Sequence, residues 1–260
     1  MSASDPVKTI SDPVKAISKP EQTENPPLNS ARHPNAVAKL RLQELACSQR
    51  KFSARGSRLR RCPDCLLARH LCICGARPML QTQCAFCFIM YKGEVYKPSN
   101  TGRLIADVVA DNYAFLWERT QTDKALLALL EDERYTPILI FPHQYAEAGR
   151  CIHNPMEHVA VVSGRIPLFI VLDGTWREAK KMFKSPYLAN LPVLGIQPDE
   201  GSTYVLREAA HTHQLCTAEV GVEVLRLANE RVAAEALQDY FNLFQERYAS
   251  IRAHVRGRNL

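Results

Sequence analysis

From residue 85 onward, short and almost unbroken apolar runs alternate with amphipathic stretches. Ala85-Phe-Cys-Phe-Ile-Met-Tyr91, Pro137-Ile-Leu-Ile-Phe141 and Leu168-Phe-Ile-Val-Leu172 carry no charge at any position, the pattern of strands covered on both faces. Ala114–Trp117 and Val193–Ile196 read as two shorter strands. Between and after them, helical periodicity predicts helices over 102–110, 126–131, 176–183, 217–227 and 232–252. Strands alternating with helices predict an α/β fold, a mostly parallel sheet with helices on both faces. Sheets of that kind bind ligands outside the carboxyl ends of their strands. The polar loops that follow the apolar runs are therefore the places to look for chemistry.

Upstream the pattern changes twice. Val37, Leu40, Leu42 and Leu45 recur at helical intervals among Lys, Arg, Gln and Glu, which predicts one basic amphipathic helix between Asn35 and Arg50. Before it, Ser4-Asp-Pro-Val-Lys8 is repeated as Ser11-Asp-Pro-Val-Lys15, and Pro20, Pro26 and Pro27 follow in a polar setting. That composition predicts a flexible tail over 1–34. The expected organisation is this tail, a basic helix with a four-cysteine module over 35–80, and an α/β domain over 81–260.

With 260 residues, 46% hydrophobic and 23% charged, the chain can bury a full core, which excludes a disordered protein or a disulfide mini-scaffold. No stretch reaches the roughly 18 to 20 apolar residues of a membrane span, and the first 30 residues lack the apolar run of a signal peptide. A soluble, cytoplasmic protein without a membrane partner is expected. Nine cysteines, an odd number, then favour metal binding over disulfides. Cys62-Pro-Asp-Cys65 followed by Cys72-Ile-Cys74 supplies four thiolates at the spacing of a closed tetrahedral zinc site, structural because no position is left open. An iron–sulfur cluster also uses four thiolates and stands as the alternative. Cys84 and Cys87 read as small apolar residues in or beside a strand.

Net charge is +6, but its distribution is uneven. Residues 31–78 hold eleven Lys or Arg against Glu44 and Asp64, a balance of +9 that leaves −3 for the remainder. A basic segment beside the cysteine module suits a polyanion, and Arg55, Arg58, Arg60 and Arg61 are the candidate contacts to an RNA backbone. Read as local structure alone, they are a solvated loop.

Three polar loops lead into helices. Leu172-Asp-Gly-Thr-Trp176 puts a carboxylate, a glycine, a hydroxyl and an indole where a strand becomes a helix. Asp173 or Thr175 could simply cap that helix; alternatively Asp173 takes a proton or binds a ligand hydroxyl. Pro98-Ser-Asn-Thr-Gly-Arg103 offers caps, a glycine and a cation, a geometry that also suits an anion. Ser202-Thr-Tyr204 with Leu206-Arg-Glu208 and then Cys216-Thr-Ala-Glu219 form the third, with Thr217 as the expected cap and His211 and His213 as loop residues. Neither a Gly-x-Gly-x-x-Gly nor a P-loop occurs among the eleven glycines, which argues against a standard dinucleotide or nucleoside triphosphate site.

In this order and combination the loops resemble the DTW-domain family. Asp173-Gly-Thr-Trp176 matches its Asp-x-Thr-Trp signature. Pro98-Ser-Asn-Thr-Gly-Arg-Leu104, Ser202-Thr-Tyr204 with Leu206-Arg-Glu208, Cys216-Thr-Ala-Glu219 and the module Cys62–Cys74 are similar to its other marks. The likeness spans roughly residues 36–250. It implies a fold related to the SPOUT-type methyltransferases with a knotted C-terminal region, and S-adenosylmethionine as co-substrate in C-terminal loops. It further implies transfer of the 3-amino-3-carboxypropyl group to the imide nitrogen of a uridine in the tRNA variable loop, releasing methylthioadenosine. The partner is then tRNA, no protein partner is evident, and the zinc of Cys62, Cys65, Cys72 and Cys74 is structural. Asp173 becomes the catalytic candidate. Asn100, Thr101, Leu172, Asp173, Gly174, Thr175, Trp176, Tyr204, Arg207, Cys216 and Thr217 become the co-substrate candidates. Arg103 joins Arg55, Arg58, Arg60 and Arg61 on RNA, although Asn100, Thr101, Arg103 and Arg207 could each serve either the co-substrate's charged end or a phosphate. Two rival functions stand beside this one. The first is an enzyme of the same fold acting on ribosomal RNA or transferring methyl, and the second is a non-catalytic zinc-dependent RNA-binding protein.

Overall fold

A computed structural model describes residues 34–48, 59–161, 164–196 and 215–257. The expected tail therefore lies almost wholly outside the described residues. The sheet has six strands, β1 (Ala85–Met90), β2 (Asn112–Leu116), β3 (Tyr135–Ile140), β4 (Cys151–Ile152), β5 (Ile166–Asp173) and β6 (Val193–Leu194). Their order is β2-β1-β5-β3-β6-β4, and every pair is parallel. β5, formed after β3 and β4, is inserted between β1 and β3, so its carboxyl end opens at the middle of the sheet.

The unbroken apolar runs are explained by burial on two sides. In β1, Phe86, Phe88 and Met90 enter one core cluster, whereas Ala85, Cys87 and Ile89 enter the other. On the first face lie α2 (Gly102–Val108), α6 (Thr217–Leu227) and α7 (Arg231–Gly257), with Leu104, Ile105, Val222, Leu237 and Phe241 fully buried or nearly so. On the second face lie α3 (Lys124–Leu130) and α5 (Trp176–Phe183), with Leu126, Leu129, Ala179 and Met182 turned inward. Helices thus cover both faces, as the periodicity predicts. The short β4 and α4 (Pro155–Ala160), which the sequence reading left out, sit at the far edge and on the way into β5. Two residues of strand and six of helix leave too little periodicity to detect.

The basic helix is present as α1 (Ala36–Cys47), capped by Asn35, whose side chain accepts the Ala38 amide at 2.9 Å. Its apolar stripe is only partly used. Val37 is buried and Leu40 packs on the core, but Leu42 and Leu45 are exposed. Asp107 of α2 ties this helix to the rest. Its carboxylate accepts the Asn35 side-chain amide at 2.7 Å and the Tyr240 hydroxyl of α7 at 3.1 Å, and it pairs with Arg77, just after the cysteine module, at 2.9 Å. Cys62, Cys65, Leu67, Ala68 and Ile73 of the module belong to the same core cluster as α2, α6 and α7.

Close helix packing fixes one glycine. A Cβ on Gly221 of α6 would stand 2.5 Å from Ile105 Cδ1 and 3.2 Å from Leu237. Gly221→Ala is expected to destabilise the protein by about 1–3 kcal/mol through overpacking between α2, α6 and α7. Thermal unfolding checks this, and an unchanged midpoint contradicts the close approach. Among the described residues no helix is long and apolar enough to cross a membrane.

Candidate functional site

Asp173, the last residue of β5, is where the polar loops meet. It is 2% exposed, yet its carboxylate is supplied with donors from two other segments. Asn100 Nδ2 donates to Oδ2 at 2.8 Å and the Thr217 hydroxyl donates to Oδ1 at 3.4 Å. The Asp173 carbonyl accepts the Tyr91 amide at 2.8 Å, which joins the ends of β5 and β1. Loops about 70 residues upstream and about 40 downstream are thus fastened to one side chain, bonds of the charge-assisted kind that outweigh neutral ones.

The same loops exchange caps. Thr101 does not cap its own helix; its hydroxyl accepts the Ala218 amide in the first turn of α6 at 3.2 Å. Cys216, and not the expected Thr217, is the N-cap of α6, and the Glu219 carboxylate accepts the Cys216 amide at 2.7 Å. Freed from capping, Thr217 turns its hydroxyl to Asp173. Thr175 is the N-cap of α5, and Glu178 accepts both its amide at 2.7 Å and its hydroxyl at 2.6 Å. Burial pushes the Glu178 carboxyl up, but the two bonds from Thr175, with Lys97 and Lys181 nearby, outweigh it and hold the group below its ordinary value. Burial pushes the Cys216 thiol up to about 12, so it stays neutral near pH 7.

Gly102 makes the junction possible. A Cβ there would lie 2.6 Å from Asp173 Oδ2 and 3.5 Å from Thr217 Cγ2. Gly102→Ala is expected to push the Asp173 carboxylate off Asn100 and to cost about 1–3 kcal/mol. Calorimetric unfolding at wild-type temperature would disprove that contact.

Beside the junction lies a cavity of about 220 Å³, lined among others by Phe141, Leu172, Gly174, Trp176, Cys216 and Thr217. Trp176 forms part of its wall. The indole stacks on Phe141 with centroids 5.3 Å apart and meets the edge of Tyr145 at 5.6 Å, while remaining 36% exposed. Phe141 and Tyr145 follow β3 in a loop that sequence reasoning did not connect with Trp176. An aromatic ring one residue beyond a strand end was the only signal available.

Of the co-substrate candidates, Asn100, Thr101, Leu172, Asp173, Gly174, Thr175, Trp176, Cys216 and Thr217 come together around Asp173 and this cavity. Tyr204 and Arg207, with His211 and His213, lie outside the described residues. Among the RNA candidates, Arg55 and Arg58 also lie outside them. Arg60 is exposed, and Arg61 is half-buried with its guanidinium donating to the Leu66 carbonyl at 2.9 Å. Arg103 is only 4% exposed. Its Nε donates to the Asn100 carbonyl at 3.2 Å, its guanidinium lies over the Phe244 ring at 5.0 Å, and Nη1 is buried with no hydrogen-bond partner.

The four thiols of Cys62, Cys65, Cys72 and Cys74 lie within 4.8 Å of one another. Cys62 and Cys72 are 3.6 Å apart at sulfur, as are Cys62 and Cys74, and Cys65 and Cys72 are 3.7 Å apart. Sulfurs about 2.3 Å from a tetrahedral zinc are separated by about 3.8 Å, so the donor set could hold that ion. Among the described residues no other group of three or more metal-ligating side chains is gathered in this way.

No solved structure matches the chain. Residues 59–249 match the DTW domain, a span that takes in the four-cysteine module, the whole parallel sheet, Asp173 and the two segments fastened to it through Asn100 and Thr217. On that match, which covers well over half of its length, the chain belongs to the DTW-domain family.

Proposed function

We propose that the protein is a tRNA-modifying transferase that moves the 3-amino-3-carboxypropyl group of S-adenosylmethionine to the imide nitrogen of a tRNA uridine, leaving methylthioadenosine. Membership of the DTW family is consistent with tRNA modification. The observation that carries the reading is the convergence of Asn100 and Thr217, each from a separate motif, on Asp173, beside a largely apolar cavity at the central strand ends. S-adenosylmethionine, when bound, supplies a carbon activated by its sulfonium. The chain's own part is mainly positioning. Phe141, Leu172 and Trp176 give the cavity apolar and aromatic walls suited to the nucleoside portion, while Thr217 supplies a polar group on its rim. Asp173 accepts the imide proton of the uracil as the nitrogen–carbon bond forms.

Zinc on Cys62, Cys65, Cys72 and Cys74 holds the module that leads to Arg60 and Arg61. These two, with Arg55 and Arg58, hold the RNA backbone, where contacts give salt-dependent affinity more than sequence choice. The knotted C-terminal path that the family resemblance implies belongs to this reading too; residues 197–214, which join β6 to α6, lie outside the described residues.

Mass spectrometry of nucleosides from unmodified tRNA, incubated with the purified protein and S-adenosylmethionine, tests the function. An aminocarboxypropyl adduct on uridine is the expected result. A methyl adduct would overturn the chemistry, and no adduct on any tRNA would overturn the substrate.

A further inference from the structure

A second hollow, of about 570 Å³, opens on the other side of the Asp173 loop, over the carboxyl ends of β1 and β2. Tyr91 and Trp117, each the first residue beyond its strand, stack on one another there with centroids 5.5 Å apart and ring planes 20° from parallel. The pair is fixed in place. Trp117 Nε1 donates to the Ser185 hydroxyl at 2.9 Å, and the Trp117 amide donates to the Met90 carbonyl at 2.8 Å. Arg119, Lys181 and Lys184, all exposed, face the same hollow against one carboxylate, Glu118.

Its relation to the first cavity is close. Gly174 lines the smaller cavity, and a Cβ built on it would stand 3.1 Å from Tyr91 Cβ. The Tyr91 amide is bonded to the Asp173 carbonyl at 2.8 Å. The loop at the end of β5 is therefore a thin wall, with a small, mostly apolar cavity on one side and a larger, cationic, aromatic one on the other. Among the described residues no cation lines the smaller cavity. Ring faces that accept a flat base, beside cations that accept phosphate, are the means by which proteins bind a single-stranded nucleotide.

We infer that this hollow receives a nucleotide of the RNA substrate, its base against the Tyr91–Trp117 pair and its phosphates against Arg119, Lys181 and Lys184. The inference rests on the RNA reading above and adds where the RNA strand meets the site. It places this nucleotide, a neighbour of the reacting uridine, across the loop at the end of β5 from the co-substrate cavity.

The test is binding of unmodified tRNA over a series of salt concentrations, with S-adenosylmethionine affinity measured in parallel by calorimetry. The triple variant R119Q/K181Q/K184Q is expected to bind tRNA about ten- to a hundredfold more weakly, with a log–log salt slope shallower by roughly two to three, as for lost phosphate contacts. Tyr91→Leu should weaken binding roughly tenfold with the salt slope kept, because stacking is not a counterion effect. S-adenosylmethionine affinity should stay at the wild-type value in the triple variant. R134Q/R165Q, which removes cations at the opposite ends of β3 and β5, should bind tRNA as wild type does. Wild-type affinity and slope in the triple variant, or an equal loss in R134Q/R165Q, would overturn the subsite while leaving the RNA function intact. A wild-type protein that binds no tRNA would instead overturn the RNA reading itself.

Discussion

Asp173→Asn is expected to lower the single-turnover rate of transfer to tRNA by about a hundredfold or more, with the protein still folded. The substitution keeps size and shape but removes the negative charge and turns one oxygen into a donor. Asn100 Nδ2 and the Thr217 hydroxyl both donate to this carboxylate, so an amide keeps both contacts only with its oxygen on Asn100 and with the Thr217 hydroxyl turned from donor to acceptor. In the reverse orientation a buried donor is left unsatisfied at about 1–3 kcal/mol, so the fall in the unfolding midpoint should be modest at most. Rate and co-substrate affinity separate the roles. A slow variant with normal S-adenosylmethionine binding supports proton acceptance, whereas lost binding makes Asp173 a positioning residue. A near-normal single-turnover rate would remove it from proton transfer altogether.

The second large effect concerns metal. Cys65→Ser is expected to take zinc from one equivalent per chain to almost none, and to lower the unfolding midpoint by about 10–20 °C. The binding energy of four thiolates for zinc, on the order of 10 kcal/mol, is comparable with the entire stability of a domain. A loss of about 5 kcal/mol of it would give a shift of that size at this chain length. The effect should not stay local. Cys65 and Leu67 are completely buried and share a core cluster with Leu104, Leu237 and Phe241, so loosening the module uncovers the face formed by α2, α6 and α7. Metal analysis of the wild type checks the premise. Iron in place of zinc would favour the iron–sulfur alternative, and full zinc content in Cys65→Ser would show that Cys65 is not a ligand.

These two residues were both visible in the sequence, for different physical reasons. Four cysteines within thirteen positions can approach one ion with little help from the rest of the fold, so spacing alone indicates the cluster. Asp173 stood out because a carboxylate ends an apolar run at the place where parallel sheets bind ligands, and the family resemblance of its loop made it the catalytic candidate over a helix cap. The helix caps were less legible. Thr101, Thr217 and Cys216 are all plausible caps by type, but a hydroxyl can serve its own helix, its neighbour's helix or a carboxylate with equal chemistry. Which it does depends on what is packed against it.

The sequence by itself determined five of the six strands and most of the helices, the α/β class, the four-cysteine cluster and the family, because each of these is carried by residues close together or by their order. α5 begins at Trp176 and ends at Phe183, and α6 runs from Thr217 to Leu227, as the periodicity predicts. Only the tertiary structure decided that β5 is inserted between β1 and β3, and everything that follows from that insertion. It brings Asn100 and Thr217 to Asp173, while the pairing of β1 with β2 sets Tyr91 and Trp117 side by side across the wall from Trp176. Periodicity reports which face of an element is buried. It carries no information on which strand lies next to it, since any strand with two apolar faces can form the same hydrogen-bond ladder, and the choice is made by the packing of the whole core.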